Sequence, residues 1–445
     1  MKQVYLILLL TFSFSLPGKA QSRSEQIDRL MDTYHGLRKF NGTILVSQKG
    51  RILLEKGYGY QDMKTRVPNS PQTIYQIASV TKPFTSTLVL KLVELRQLKL
   101  TDVISKFYPG FPKGDSITIR QLLSHTSGIV DHAADIGSKP IRGANEEEIF
   151  IETLKARPLG FSPGKDWRYS NSGYILLGYI IEKVSHMSYY DAIRKYIFNP
   201  ADMQQSAFDF VGLKSPNKAT GYWVFPEDEY AEQATLINYD GPKAAGAIYS
   251  TVGDLHKFHS GLQTGLFVSG ASLKEAYTPV ALNYGYGWII EQVGGKQMVS
   301  HSGDIWGFKA EFARLPQDDV CIVMLSNAEE PDLHAITFKI VAILNGQDYQ
   351  SPAQNKIKLS EEVLKAYAGK YELRPGEFIA VNIRKQRLTA TTNITQELYC
   401  QQKDVFLLDN GTAQKTVTFN RDKAGQVISL SFINGEEKMV CKKVK

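Results

Sequence analysis

Three short patterns in this 445-residue chain place side chains that can do chemistry. The first is Ser79-Val80-Thr81-Lys82, a serine one helical turn ahead of a lysine. Leu88, Val89, Leu92, Val93 and Leu95 follow in an apolar helical run. On a helix opened by Ser79, the two polar side chains share one face at i and i+3. The hydroxyl would sit over the positive end of that helix, where an anion is favoured. A serine beside a lysine becomes a nucleophile if the lysine sheds its proton. The same residues also fit an N-cap serine followed by a solvated lysine. The pattern recurs at Ser162 and Ser215, but the prolines that follow, Pro163 and Pro216, predict turns there.

The second pattern is Tyr169-Ser170-Asn171, on an expected loop just before an apolar helix over 175–184. Loops before helices can present side chains to a cleft. An asparagine cap with a packed tyrosine fits that stretch as well. The third is His301-Ser302-Gly303, at an expected strand edge. There backbone and imidazole can approach a substrate, and a strand-end turn with a surface histidine is the plainer alternative. His125 ends a short helix and reads as a loop histidine bonded to backbone, since nothing nearby makes it half of a dyad.

The elements that must position these residues follow from periodicity. Residues 24–39 predict a helix, and 43–48 with 51–58 a hairpin around Lys49-Gly50. After the serine helix come a loop over 101–112 and a short helix over 119–124. A helical and loop insert spans 129–160, with Glu146, Glu147 and Glu148 read as a solvated first turn. A loop over 200–245 is expected to wall a cleft, and Thr251 with Asp254 to cap a further helix. Tyr284–Ile290 predicts a strand, 308–315 and 321–326 a hairpin, and 336–344 a closing helix. One antiparallel sheet built from both ends of the region, with helices inserted between, gives a mixed α/β (α+β) fold. A polar linker over 348–360 leads to short alternating segments, read as a small β-domain over 361–445, sandwich or barrel.

Composition sets the outer bounds. The formal charge of +7 is spread out, and without Lys2 and Lys19 it is +5, so no nucleic-acid partner is inferred. Residues 1–20 have a charged start, an apolar run over 4–16 and a small residue before Gln21, the pattern of a cleaved secretory signal. No later stretch is apolar enough to cross a membrane, so the mature chain, from 21 onward, is expected to be periplasmic or secreted. Cys321, Cys400 and Cys441 cannot make a disulfide framework, although Cys400 and Cys441 fall in one segment and could pair. There is no Gly-x-Ser-x-Gly elbow and no His-Glu-x-x-His zinc motif.

Taken together and in this order, Ser79-x-x-Lys82, Tyr169-x-Asn171 and His301-x-Gly303 resemble the serine β-lactamase and penicillin-binding superfamily. The likeness is strongest to its branch of secreted D,D-carboxypeptidases, class C β-lactamases and related esterases. It covers about residues 24–345, including the His125-Thr126-Ser127-Gly128 turn, within an expected hydrolase domain over 21–347. The C-terminal part resembles the β-barrel domains often appended to this branch.

The resemblance implies a β-lactamase/transpeptidase-like fold in which Ser79 is the acylated nucleophile and Lys82, neutral at working pH, helps deprotonate it. It implies that Tyr169 relays protons to the leaving group, and that Asn171 holds Lys82 and the substrate amide. It places the oxyanion in the backbone N–H groups of Ser79 and Asp304, with Gly303 leaving room for substrate along the strand. His301 stands where many β-lactamases carry lysine, and would bind an acidic group or pass protons. Histidine is a cation only below about 6.5, which favours a peptidase, amidase or esterase over a β-lactamase. The implied activity is hydrolysis of an amide or ester, D-Ala-D-Ala carboxypeptidase-like or related, on a small-molecule or peptide substrate such as a cell-wall peptide. No metal or organic cofactor is implied. The alternatives on this fold are a class C-like β-lactamase and a non-catalytic cell-wall or ligand-binding protein, and the second would be supported by a missing catalytic residue, of which there is none.

Overall fold

The computed structural model describes residues 22–131, 146–223, 232–238, 241–328, 332–352, 356–374, 377–384, 387–392, 395–409, 414–434 and 437–444. The proposed signal over 1–20 and part of the insert at 132–145 lie outside the described residues.

Helix α1 (Arg23–Gly36) begins at a capping box, in which Ser22 and Glu25 satisfy each other's backbone donors. Strands β1 (Gly42–Gln48) and β2 (Arg51–Tyr58) form the expected hairpin. Helix α2 (Thr81–Glu94) follows the serine turn, and Thr81 to Leu90 are buried on every side. Helices α3 (Ile119–Leu123), α4 (Asn171–Ser185) and α5 (Val252–Thr264) build the layer around α2, with Thr251 capping α5 through the Asp254 N–H as expected. The chain then returns to the sheet with β3 (Ile289–Val293), β4 (Lys296–Ile305), β5 (Phe308–Leu315) and β6 (Val320–Ser326), and closes with α6 (Leu333–Leu344).

The sheet is antiparallel, in the order β2-β1-β6-β5-β4-β3. Its central strand β6 is buried along its whole length, because helices cover both faces. Phe84, Leu88, Val299 and Phe312 fill the core on the α2 side. Ile27, Met31, Ile322, Ile336 and Ile340 fill the core beneath α1 and α6.

One strand expectation needs correction and another holds. Tyr284 is not in a strand: Gly287 takes a left-handed φ of 76° and the chain turns, so β3 starts only at Ile289. His301 lies mid-strand on an open strand edge, as expected: residues 296–305 form a ten-residue strand in which 299–305 pair with β5 but only 296–300 pair with β3. The polar run Ser300–Asp304 lacks strand character by itself, and pairing with β5 imposes the conformation.

The C-terminal strands, from β7 (Gly369–Arg374) to β14 (Glu437–Val444), form a closed eight-stranded antiparallel barrel. Lys370 pairs with Val444 to close it, which removes the exposed edges. Tyr371, Phe406 and Phe419 fill the interior. Cys400 and Cys441 are both buried there and no disulfide joins them, so the pairing considered from sequence is not formed. Lys39, just after α1, donates to the Tyr399 hydroxyl on the barrel. No helix among the described residues is long and apolar enough to cross a membrane.

Candidate active site

Ser79 lies on a single 3-10 turn, Ala78–Val80, immediately before α2, so it precedes the α-helix rather than opening it. Ala78 holds a left-handed φ of 47°, a strained setting for alanine. The turn is pressed against β4. A Cβ on Gly303 would lie 2.1 Å from the Ile77 carbonyl oxygen, so only glycine permits this approach.

Lys82 is fully buried, which excludes the solvated-lysine reading. Its Nζ lies 2.9 Å from Ser79 Oγ, 2.7 Å from Asn171 Oδ1 and 2.9 Å from the Ala245 carbonyl oxygen. The last two can only accept. The Asn171 amide is held in this orientation because its Nδ2 donates to Asp131 at 3.0 Å. A neutral amine has two hydrogens, and the two carbonyl oxygens take both. The lone pair is left for the Ser79 hydroxyl. Burial lowers the Lys82 pKa to about 7, against the opposing pull of Asp131. No positive neighbour is needed to bring it there.

The Tyr169 hydroxyl donates to Ser79 Oγ at 2.9 Å. Burial holds that phenol well above its ordinary pKa, so it is protonated and not a standing phenolate. Its ring rests on His125, with centroids 4.3 Å apart. His125 accepts the Ser170 N–H at Nδ1, 3.2 Å away, which agrees with a backbone-bonded histidine. It is buried rather than on a surface loop, and burial keeps its pKa well below the usual value. Ser170, not Asn171, caps α4, and Asn171 is the helix's first residue.

His301 departs most from expectation. Its Nδ1 lies 2.7 Å from the Ser302 carbonyl, which must accept, so Nδ1 carries the hydrogen. Nε2 is then an acceptor, 2.9 Å from the Tyr284 hydroxyl. Burial first, and the charge of Lys82 second, push its pKa down to about 3. The imidazole is neutral in the range where a substrate would meet it, and the expected cation is absent. Asp304 is exposed at its side chain, which pairs with Lys309 at 2.8 Å, and the residue lines the cleft together with Ser79.

A cleft of about 440 Å³ opens at Ser79, walled by Trp167, Tyr169, Tyr284, Ile289 and His301. A smaller space of about 150 Å³ adjoins it beside Ile237, Pro242, Ala245 and Ile305, so part of the 200–245 segment does wall the cleft. Glu146 and Glu147 are not simply solvated: they bond the hydroxyls of Tyr179 and Tyr108, tying their helix (Glu146–Lys155) to the core. Asp131, Tyr284 and the Ala245 carbonyl were not singled out from sequence. Asp131 stands in no motif, Tyr284 sat inside an apolar run, and a backbone carbonyl leaves no signal in residue types.

Residues 27–344 match the Beta-lactamase family, and 353–440 match a domain of unknown function, DUF3471. The chain belongs to the beta-lactamase family. It is a serine hydrolase of the β-lactamase-related type, like the penicillin-binding proteins among its relatives. It is 32% identical over 439 residues to a penicillin-binding protein of Bacillus subtilis (strain 168), covering 92% of this chain and 96% of that one. The octameric penicillin-binding protein homologue from Pyrococcus abyssi superposes with a TM-score of 0.68 at 25% identity, covering 93% of this chain and 99% of the other. The D-amino acid amidase from Ochrobactrum anthropi shares the fold, with a TM-score of 0.65 at 22% identity over 73% of this chain and 99% of that chain.

Proposed function

We propose that this beta-lactamase family member is an exported hydrolase that cleaves an amide or ester through an acyl-enzyme on Ser79. The substrate class is D-Ala-D-Ala-like peptides and related D-amino-acyl amides or esters, including cell-wall peptide. The observation that carries the reading is the buried Lys82 amine at 2.9 Å from Ser79 Oγ, with a pKa of about 7.

The steps follow from the hydrogen bonds. Ser79 Oγ attacks the substrate carbonyl and its proton passes to the Lys82 lone pair. The oxyanion that forms is met by the backbone N–H groups of Ser79 and Asp304. Tyr169, already donating to Oγ, passes a proton to the leaving amine or alkoxide as the carbonyl–leaving-group bond breaks, and the proton that Lys82 took restores the phenol and leaves Lys82 neutral for the second half. Water then enters, gives up its proton by the same route, and releases the acid from Ser79. Asn171 keeps Lys82 aimed through this cycle, and Asp131 keeps Asn171 aimed. Export rests on the charged and apolar start of the chain over 1–20.

The test is the intact mass of the protein after reaction with a fluorophosphonate, with Ser79→Ala alongside. Stoichiometric adducts that vanish in Ser79→Ala are expected. A fluorophosphonate adduct that survives in Ser79→Ala, or none at all in the native protein, overturns the reading.

A further inference from the structure

The position where a substrate carboxylate would look for a cation holds a neutral pair. The Tyr284 hydroxyl donates to His301 Nε2, and His301 Nδ1 donates to the Ser302 carbonyl. Both ring nitrogens of the neutral, buried imidazole are thus engaged. The imidazole is closed in further by its titratable neighbours. Lys82 comes from α2, His125 from the turn after α3, and Tyr169, at 6.3 Å between centroids, from the segment before α4.

The walls around this pair are aromatic. Tyr284 packs on His125 with centroids 4.8 Å apart, on Trp167 at 6.0 Å, and edge-on to Tyr169 at 6.4 Å. Ile289 completes that side. Among the described residues that line the cleft and its smaller neighbour there is no arginine or lysine. Lys82, close behind Ser79, spends its hydrogens on Asn171 and Ala245. A free carboxylate moved from water into this surface would lose hydration and gain no charged partner, which is unfavourable. An uncharged group with an apolar body gains by the same transfer.

We infer that the cleft selects an uncharged leaving group, an amide, ester or continuing peptide and not a terminal carboxylate, and that Tyr284, positioned by His301, is the residue that sets this preference. The inference rests on Ser79 being the reactive centre, and it narrows the substrate class of that centre. It gives His301 a positioning role in place of the acid-binding role suggested by its place in the sequence.

A matched pair of ligands tests it: N-acetyl-D-Ala-D-Ala and the same dipeptide with its C-terminus capped as the primary amide. Each is used to protect Ser79 from fluorophosphonate labelling, so binding is read without turnover. In the native protein the capped ligand should protect at about tenfold lower concentration or better, at both about pH 5 and about pH 8. In Tyr284→Phe, His301 Nε2 loses its donor and can take a proton. The preference for the capped ligand should then shrink at the acid end and persist at the alkaline end. His301→Lys should reverse it. Equal or better protection by the free acid in the native protein overturns the inference, and so does failure of both ligands to protect. A ratio in Tyr284→Phe that does not move with pH overturns the role given to the pair. Labelling of Ser79 in the absence of ligand reports separately on the hydrolase reading.

Discussion

The Asn171 side-chain carbonyl accepts a hydrogen from the Lys82 amine at 2.7 Å, and that contact, together with the one to the Ala245 carbonyl, decides which way the amine's lone pair faces. The amide can hold this orientation because Asp131 takes its other end. Asp131 therefore acts on the nucleophile at two removes. Asp131→Asn should slow fluorophosphonate labelling roughly 10- to 100-fold by loosening this geometry. Asp131 also raises the Lys82 pKa, so its loss should move the acid limb of the labelling rate below about 7. The pH–rate profile checks both, and an unmoved or upward-shifted limb refutes the assignment.

In the native protein the labelling rate should rise with pH through about 7 and then level off, because the neutral form of Lys82 is the reactive one. Tyr169, whose phenol is held far above this range by burial, should add no second limb there.

Tyr169→Phe removes the donor that serves the leaving group. An anilide or peptide needs that proton far more than an activated ester does. The variant should lose roughly 100-fold more kcat/KM on an amide than on the matching nitrophenyl ester. Equal losses on the two would show that Tyr169 only orients Ser79.

Gly303→Ala puts a methyl group where the Ile77 carbonyl already sits, at 2.1 Å. The strand or the serine turn must move. The expected cost is about 1–3 kcal/mol of stability, together with loss of Ser79 labelling. Chemical denaturation and labelling of the folded fraction separate the two effects. A fully labelled variant of native stability would contradict the tight seating of the turn.

Away from the cleft, His334 on α6 bridges Glu311 and Glu291, each at 3.1 Å, and Glu311 is completely buried. Burial by itself would lower the His334 pKa, but the bonds to Glu291 and Glu311 outweigh it and raise the value from 6.5 to about 10. A raised folded-state pKa gives stability that is fully present below 6.5 and lost as pH climbs toward 10. Unfolding free energy should fall across that window, and His334→Gln should flatten the slope.

The sequence made the nucleophile, its base and the proton relay legible because their spacings are local and their types distinctive: Ser79 with Lys82, and Tyr169 with Asn171. The sheet was legible from both ends, since strands such as Cys321–Ser326 carry continuous apolar character. The strand edge at His301 was legible only beside the plainer alternative of a strand-end turn, because Ser302, Gly303 and Asp304 owe their extended form to pairing with β5 and not to propensity. Asp131 was invisible for a related reason. Its importance comes from meeting Asn171 across 40 positions, and no local pattern encodes that meeting. His301 showed its type but not its charge state, which depends on burial and on Lys82 from a distant helix. The barrel strands were foreseen as alternating segments, but closure depends on Lys370 finding Val444, and periodicity carries no trace of that.

The pairing of β1 with β6 has a consequence in time. Asn41 and Ser326 are hydrogen bonded although 285 positions separate them. β6 is the strand that joins the early hairpin to β5 and β4. A growing chain makes its serine and lysine early, yet cannot close the frame around them until Ser326 has been added, and so distant a closure is slow. The nucleophile is thus synthesised long before it is armed, and a chain cut short before Val320 carries every residue of the reaction and no enzyme.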